Sequence, residues 1–260
     1  MDTAETFRLI AFLAVLATMA AWEVASPDRR AEIPRLIRWT NNLALVVLDT
    51  ALVRLLMPLM PLAAADLAAQ KGWGLLSALP LWAAIPVAFV LLDLLIWGQH
   101  WLMHRVPFLW RLHRMHHSDT HLDASTGLRF HPLEILLSTL IKILAVLALG
   151  APALAVIAFE IALNATSLFT HANIRLSERA DHALRRLVVT PAMHRIHHSI
   201  RRAETDSNYG FNLSLWDRLF GTYTAAPQDD PVTMPLGIEA FRATREAWLD
   251  RLLTQPFRHR

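Results

Sequence analysis

Histidines define the chemistry within reach of this chain. Of its 13, all but His259 lie between His100 and His198. Nine of them fall into H-x-x-x-H at His100 and His104, H-x-x-H-H at His113, His116 and His117, a second H-x-x-H-H at His194, His197 and His198, and a solitary His171. Residues three and four apart share one face of an α-helix, so each trio can converge on one or two ions from a single side. A metal ion accepts four to about six ligands. Nine imidazoles are therefore too many for one centre and suit two. Left without partners, so many buried polar rings would each cost about 1–3 kcal/mol. Cysteine is absent, which removes disulfides, thiolate metal sites and iron–sulfur clusters. Imidazole nitrogen suits zinc, copper, iron and nickel, and spacing does not choose among them. H-E-x-x-H and E-x-x-H are both missing, which argues against a zinc-peptidase site and a carboxylate-rich diiron bundle. A bis-histidine haem needs one ligand from each of two facing helices, not adjacent pairs on one turn.

The elements that must position these rings are membrane helices. Hydrophobic residues make up 54% of the 260, charged residues only 18%, against about a quarter in soluble domains. Mean hydropathy is +0.33. Five apolar stretches approach the roughly 20 residues a span requires: residues 7–25, 40–64, 74–97, 133–150 and 152–170. Asp2 and Glu5 stand where a secretory signal carries basic residues, so the first stretch reads as a retained span. Pro58, Pro61, Pro80 and Pro86 predict kinks or re-entrant turns in the second and third. Gly150-Ala151-Pro152 predicts a tight hairpin between the last two. Basic residues alternate between loops: Arg29, Arg30, Arg35 and Arg38 in the first, Lys71 alone in the second, Arg105, Arg111, Arg114 and Arg129 in the third, none in the fourth, and a dense run from Arg175 onward after the fifth span. Under the positive-inside rule both histidine-rich segments face the cytoplasm, and the arginines read as a solvated, headgroup-facing surface. The net charge of +3 does not compel nucleic-acid binding, and none is expected. The fold expected is all-α, a multi-pass helical bundle of four to five spans with a histidine-rich cytoplasmic cap.

Several motifs in order resemble the sterol desaturase / fatty acid hydroxylase superfamily. They are the histidine clusters, D-x-x-I-W-x-x-H from Asp93, the LRFHPLE run containing Arg129, His131 and Glu134, HANIRL from His171, and ETDSNYGFNLSLWDRLFGTY from Glu204. The resemblance divides the chain into N-terminal membrane helices (1–89), a catalytic region (90–224) and a C-terminal tail (225–260). It implies a diiron centre, two Fe ions with O2 as cosubstrate, held by His100, His104, His113, His116, His117, His171, His194, His197 and His198. Candidates for orienting those rings are His131, Asp93, Glu134, Glu160, Asn173, Asp206 and Asn208, with Asp119, Asp123 and Asp217 as further acids. His121 reads as locally hydrogen-bonded, His182 as a surface residue and His259 as part of the tail. The Trp216-Asp217-Arg218 run reads as closing the cap.

The activity implied is O2-dependent hydroxylation or desaturation of a membrane lipid. No cytochrome or reductase domain is recognisable, so a separate electron donor (cytochrome, ferredoxin or reductase) is expected. A non-catalytic lipid-binding member of the fold and a histidine-lined metal transporter are the other two classes. A transporter would place its ligands near mid-span on several helices. Arginine supplies all but Lys71 and Lys142 of the 25 basic residues, a coding bias that suggests a GC-rich bacterium and hence its cytoplasmic membrane.

Overall fold

In the computed structural model, which describes residues 3–258, the chain is helical throughout. The long helices are α1 (Thr3–Ala25), α2 (Arg35–Leu56), α3 (Pro61–Lys71), α4 (Leu81–Arg105), α6 (Pro132–Leu149) and α7 (Ala153–His171), with α5 (Pro107–His117) between α4 and α6. The cap carries the short helices α8 (Glu178–Leu184), α9 (Pro191–His197), α10 (Arg202–Thr205), α11 (Leu215–Leu219) and α12 (Leu249–Thr254). Among the described residues β structure is limited to two isolated bridges, Val188 with Leu213 and Ser199 with Leu236. Five helical stretches are long and apolar enough to cross a membrane: α1, α2 with α3, α4, α6 and α7. Large apolar side chains such as Phe7, Ile10, Val47, Leu144 and Leu154 stand exposed along them. A surface of that kind is stable against lipid, and this is a multi-pass membrane protein.

Proline explains where the helices break. Pro58 lies in the gap between α2 and α3, Pro61 opens α3 at a position whose missing N–H costs nothing, and Pro80 caps α4. Pro86 is accommodated inside α4. The expected tight hairpin at Gly150 takes a different form. Gly150 ends α6 at φ +63 and Pro152 caps α7, but α6 and α7 diverge from the turn, and α3 packs on both. The backbone of Trp73–Leu76 fills the vee: Leu75 and Leu76 N–H groups donate to the carbonyls of Ala148 (3.1 Å) and Leu149 (2.8 Å). A Cβ on Gly150 would meet the Trp73 carbonyl oxygen at 2.2 Å, so only glycine permits this approach. Between the diverging helices a cavity of about 950 Å³ opens toward His100 and His113.

Two arginines expected at a solvated surface are instead interior. Arg38 is 1% exposed and Arg129 2%. The Arg38 guanidinium bonds both oxygens of Asp119 (2.8 and 3.1 Å), Asp123, the His121 carbonyl and Thr126 Oγ1 (2.9 Å). Arg129 donates to the Met115 carbonyl (3.0 Å) and Ser118 Oγ (2.7 Å). Arg38 pins the loop after α5 to α2 and Arg129 ties the far end of that loop back to the end of α5, which holds the second histidine cluster in place. Burial alone would raise the Asp119 carboxyl, but Arg38 and Arg129 outweigh it and hold the group well below the usual carboxylate range.

Candidate metal centre

Helix geometry determines how the histidine rings are shared out. Successive residues on an α-helix are turned by 100°, so His116 and His117 cannot point at the same spot. The structure accordingly divides each H-x-x-H-H trio. His100 and His104 from α4, His113 and His117 from α5, and His197 from α9 form one set. His116, His171 from the end of α7, His194 and His198 form the other. Within each set, one ligand atom per residue lies within 4.8 Å of all the others, and every ring is buried. The sets adjoin: His117 stacks on His198 at 4.4 Å, and the His116 and His117 ring centres lie 5.4 Å apart.

Outer hydrogen bonds orient the rings. His100 Nδ1 donates to the Tyr209 carbonyl (2.7 Å), His171 Nδ1 to Ser167 (2.7 Å), His197 Nδ1 to Ser207 (2.7 Å) and His116 Nδ1 to Arg129 (3.3 Å). His113 Nδ1 donates to Glu134 Oε1 at 2.7 Å, and His104 Nδ1 faces Asp206 Oδ1 at 3.4 Å. An oxygen that can only accept places the ring proton on Nδ1, which leaves Nε2 as a lone pair facing inward. Those inner nitrogens have no partner: Nε2 of His100, His104, His113, His117 and His197 is buried and unbonded in every case. In the second set His171 Nε2 lies 3.1 Å from His116 Nε2 and 3.0 Å from His194 Nε2. His116 and His171 both carry their proton on Nδ1, so lone pairs face each other there and call for a cation between them. The donor set fits two nitrogen-loving divalent ions.

The other expected ring-orienting residues divide. Glu134 and Asp206 face imidazoles, as described. His131 instead caps α6 and faces the Leu253 carbonyl at 3.2 Å, outside both sets. Asp93 accepts from Asn212, Leu213 and Trp216, tying the cap to α4 rather than turning His100. Asp217 does the same through Trp97, Tyr209 and Gly210, so this run closes the cap. Asn208 joins the Met193 and Thr224 carbonyls, and Asn173 bonds the Arg29 backbone and faces His121 Nε2 at 3.4 Å. Glu160 pairs with Arg8 (2.7 Å) and Lys142 (3.7 Å) on the cavity wall. Asp119 and Asp123 are occupied by Arg38. His182 is exposed, and His259 lies outside the described residues. Four of the orienting acceptors are main-chain carbonyls, which every residue type carries, so no sequence signal marks them. The aromatic walls were likewise unmarked: Phe130 stacks on His116 at 4.5 Å and Trp110 lies 4.9 Å from His104.

A sequence model of the fatty acid hydroxylase family matches residues 85–222, more than half of the chain and all nine clustered histidines. The chain belongs to that family. Among curated relatives, the ornithine lipid hydroxylase OlsE of Rhizobium tropici is 33% identical over 160 residues, covering 61% of this chain and 46% of that protein. Alkylglycerol monooxygenase of Danio rerio is 31% identical over 175 residues, 66% of this chain and 36% of its own. The human alkylglycerol monooxygenase is 32% identical over 138 residues, 53% and 30%. The chain thus spans less than half the length of these relatives. No solved structure matches it.

In this family member the imidazoles are sensitive to acid when no metal holds them. Burial, reinforced by neighbouring rings, keeps His116, His117, His194 and His198 well below the ordinary histidine value, and burial brings His197 to about 3. An unfolded histidine takes up its proton near 6.5. Stability is therefore full above about pH 6.5 and is lost as pH falls toward the folded values, by about 1.4 kcal/mol per pH unit for each ring. Metal-stripped protein should therefore unfold steeply on acidification from about pH 6.5, while metal-loaded protein resists to lower pH. Thermal melts of both forms across that range check this; coincident, flat profiles would contradict it.

Proposed function

We propose that this family member is a membrane-embedded, O2-dependent lipid oxygenase, with two irons held by the five-histidine and four-histidine sets. The observation that carries the reading is the inward, unpartnered Nε2 array described above. Iron bound there would supply reductive activation of O2 for attack on an unactivated C–H bond. The chain's own part is positioning and exclusion. Carbonyls and Glu134 hold His100, His113, His116, His171 and His197 in one tautomer, Asp93 and Asp217 clamp the cap over the rings, and Phe130 and Phe211 wall the site against water.

The cavity beside His100 and His113 admits a lipid from between the helices. The relatives' names specify lipids and oxygen insertion, which favours hydroxylation over desaturation. Residues 90–224 form the catalytic region. Electrons come from a separate donor, and the distribution of arginines between the loops supports a cytoplasmic position for the rings, where reductant is available.

Purified protein is expected to hold about two irons per chain and to consume O2 only with reductant and a lipid that gains oxygen. Comparing lipid profiles of cells with and without the gene identifies that lipid. Trace metal after anaerobic iron loading, or O2 uptake with no lipid change, would remove the proposal.

A further inference from the structure

Asp49 on α2 is an acid that the site described so far does not use. It is 7% exposed and lines the cavity on the same stripe as Val46, Thr50 and Val53. Its Oδ1 is buried without a partner, and the charged group that acts on it is Glu134, which has the same sign. Two more residues lining the same cavity carry a buried oxygen without a partner: Glu134 Oε2, the oxygen not used by His113, and Gln99 Oε1. The cavity's cations do not answer this need. Arg8 and Lys142 pair with Glu160, and Arg54 pairs with Glu5. A carboxylate among membrane helices with no partner is costly and points to a ligand that completes it.

We propose that this cavity binds the primary ammonium group of an amine-bearing lipid, seated at the neighbouring acids Asp49 and Glu134. The assignment rests on the lipid-oxygenase reading for its choice of a lipid. A hydroxyl brings one hydrogen and no charge to a pair of acids, whereas an ammonium brings three hydrogens together with the opposite charge. Because Glu134 also holds His113, the amine end sits beside the five-histidine set, and the carbons next to the nitrogen are those presented to it. The rest of the chain extends between α6 and α7.

The test is a binding comparison on the full chain, as purified in neutral detergent at pH 7, with dodecylamine, dodecanol and dodecanoate as probes of equal length. Dodecylamine is expected to bind at least about tenfold more tightly than dodecanol, in line with a hydrogen-bonded charged group, and dodecanoate more weakly than either. Asp49→Asn should bring the amine down to the alcohol's affinity and leave the alcohol unchanged. Equal binding of the three probes to the unaltered protein, or an amine preference that survives in Asp49→Asn, overturns the proposal. The comparison on unaltered protein decides the matter even where the variant does not fold. Because no turnover is read, the two readings fail separately. Amine preference in protein that takes up no iron keeps the subsite and removes the oxygenase. Iron-dependent oxidation of a neutral lipid without amine preference does the reverse.

Discussion

Alanine at His116 and alanine at His117, adjacent in the chain, are expected to remove different ions. His116 belongs to the four-histidine set and His117 to the five-histidine set. His116→Ala leaves three imidazoles and should lower the iron content from about two per chain to about one. His117→Ala leaves four, so its ion should be held more weakly and lost first on dialysis against a chelator. Either variant should lose turnover by about a thousandfold or more, because a metal contributes several kcal/mol to the transition state and 1.36 kcal/mol is a factor of ten. Metal analysis with Mössbauer spectra of both variants distinguishes the sites. Two irons retained in His116→Ala, or identical losses from both variants, would contradict the division into sets. Insertion into the membrane should be normal in both, since neither ring faces lipid.

The second large effect is structural. Arg38→Met removes the cation shared by Asp119 and Asp123 and leaves two buried carboxylates with only the more distant Arg129, 3.7 Å from Asp119. Breaking a buried pair in this way costs about 3–5 kcal/mol. Arg38→Lys should rescue little, because an ammonium cannot span two carboxylates, the His121 carbonyl and Thr126 as the planar guanidinium does. Melting temperature in detergent and the yield of monodisperse protein are the measurements; a variant as stable as the parent would show that the pair is dispensable. Since the Asp119 carboxyl is depressed, its contribution is present above about pH 4, the unfolded carboxylate value, and is lost as pH falls further.

Much of this molecule is legible in the order of its residues, for physical reasons that can be named. A span must be apolar over its whole length, so all five stretches are visible in composition alone. Imidazoles that serve one ion from a helix must recur at three or four residues, so the nine rings are visible as clusters. Other features depend on neighbours distant in sequence. Arg38 reads as one loop arginine among four until the loop after α5 folds onto it. Asp93 lies near His100 in sequence yet serves Trp216 and Asn212.

What the sequence determined by itself is the helical membrane body and the nine imidazoles that gather in the two sets, because both follow from local periodicity and side-chain chemistry. Which ring joins which set, which carbonyls orient His100, His116, His171 and His197, and that a cavity lined by Asp49 and Glu134 opens beside them were decided only by tertiary structure. Those features arise where separate helices meet. Their relative rotation and divergence come from packing, such as the backbone contact at Gly150, which no single segment encodes.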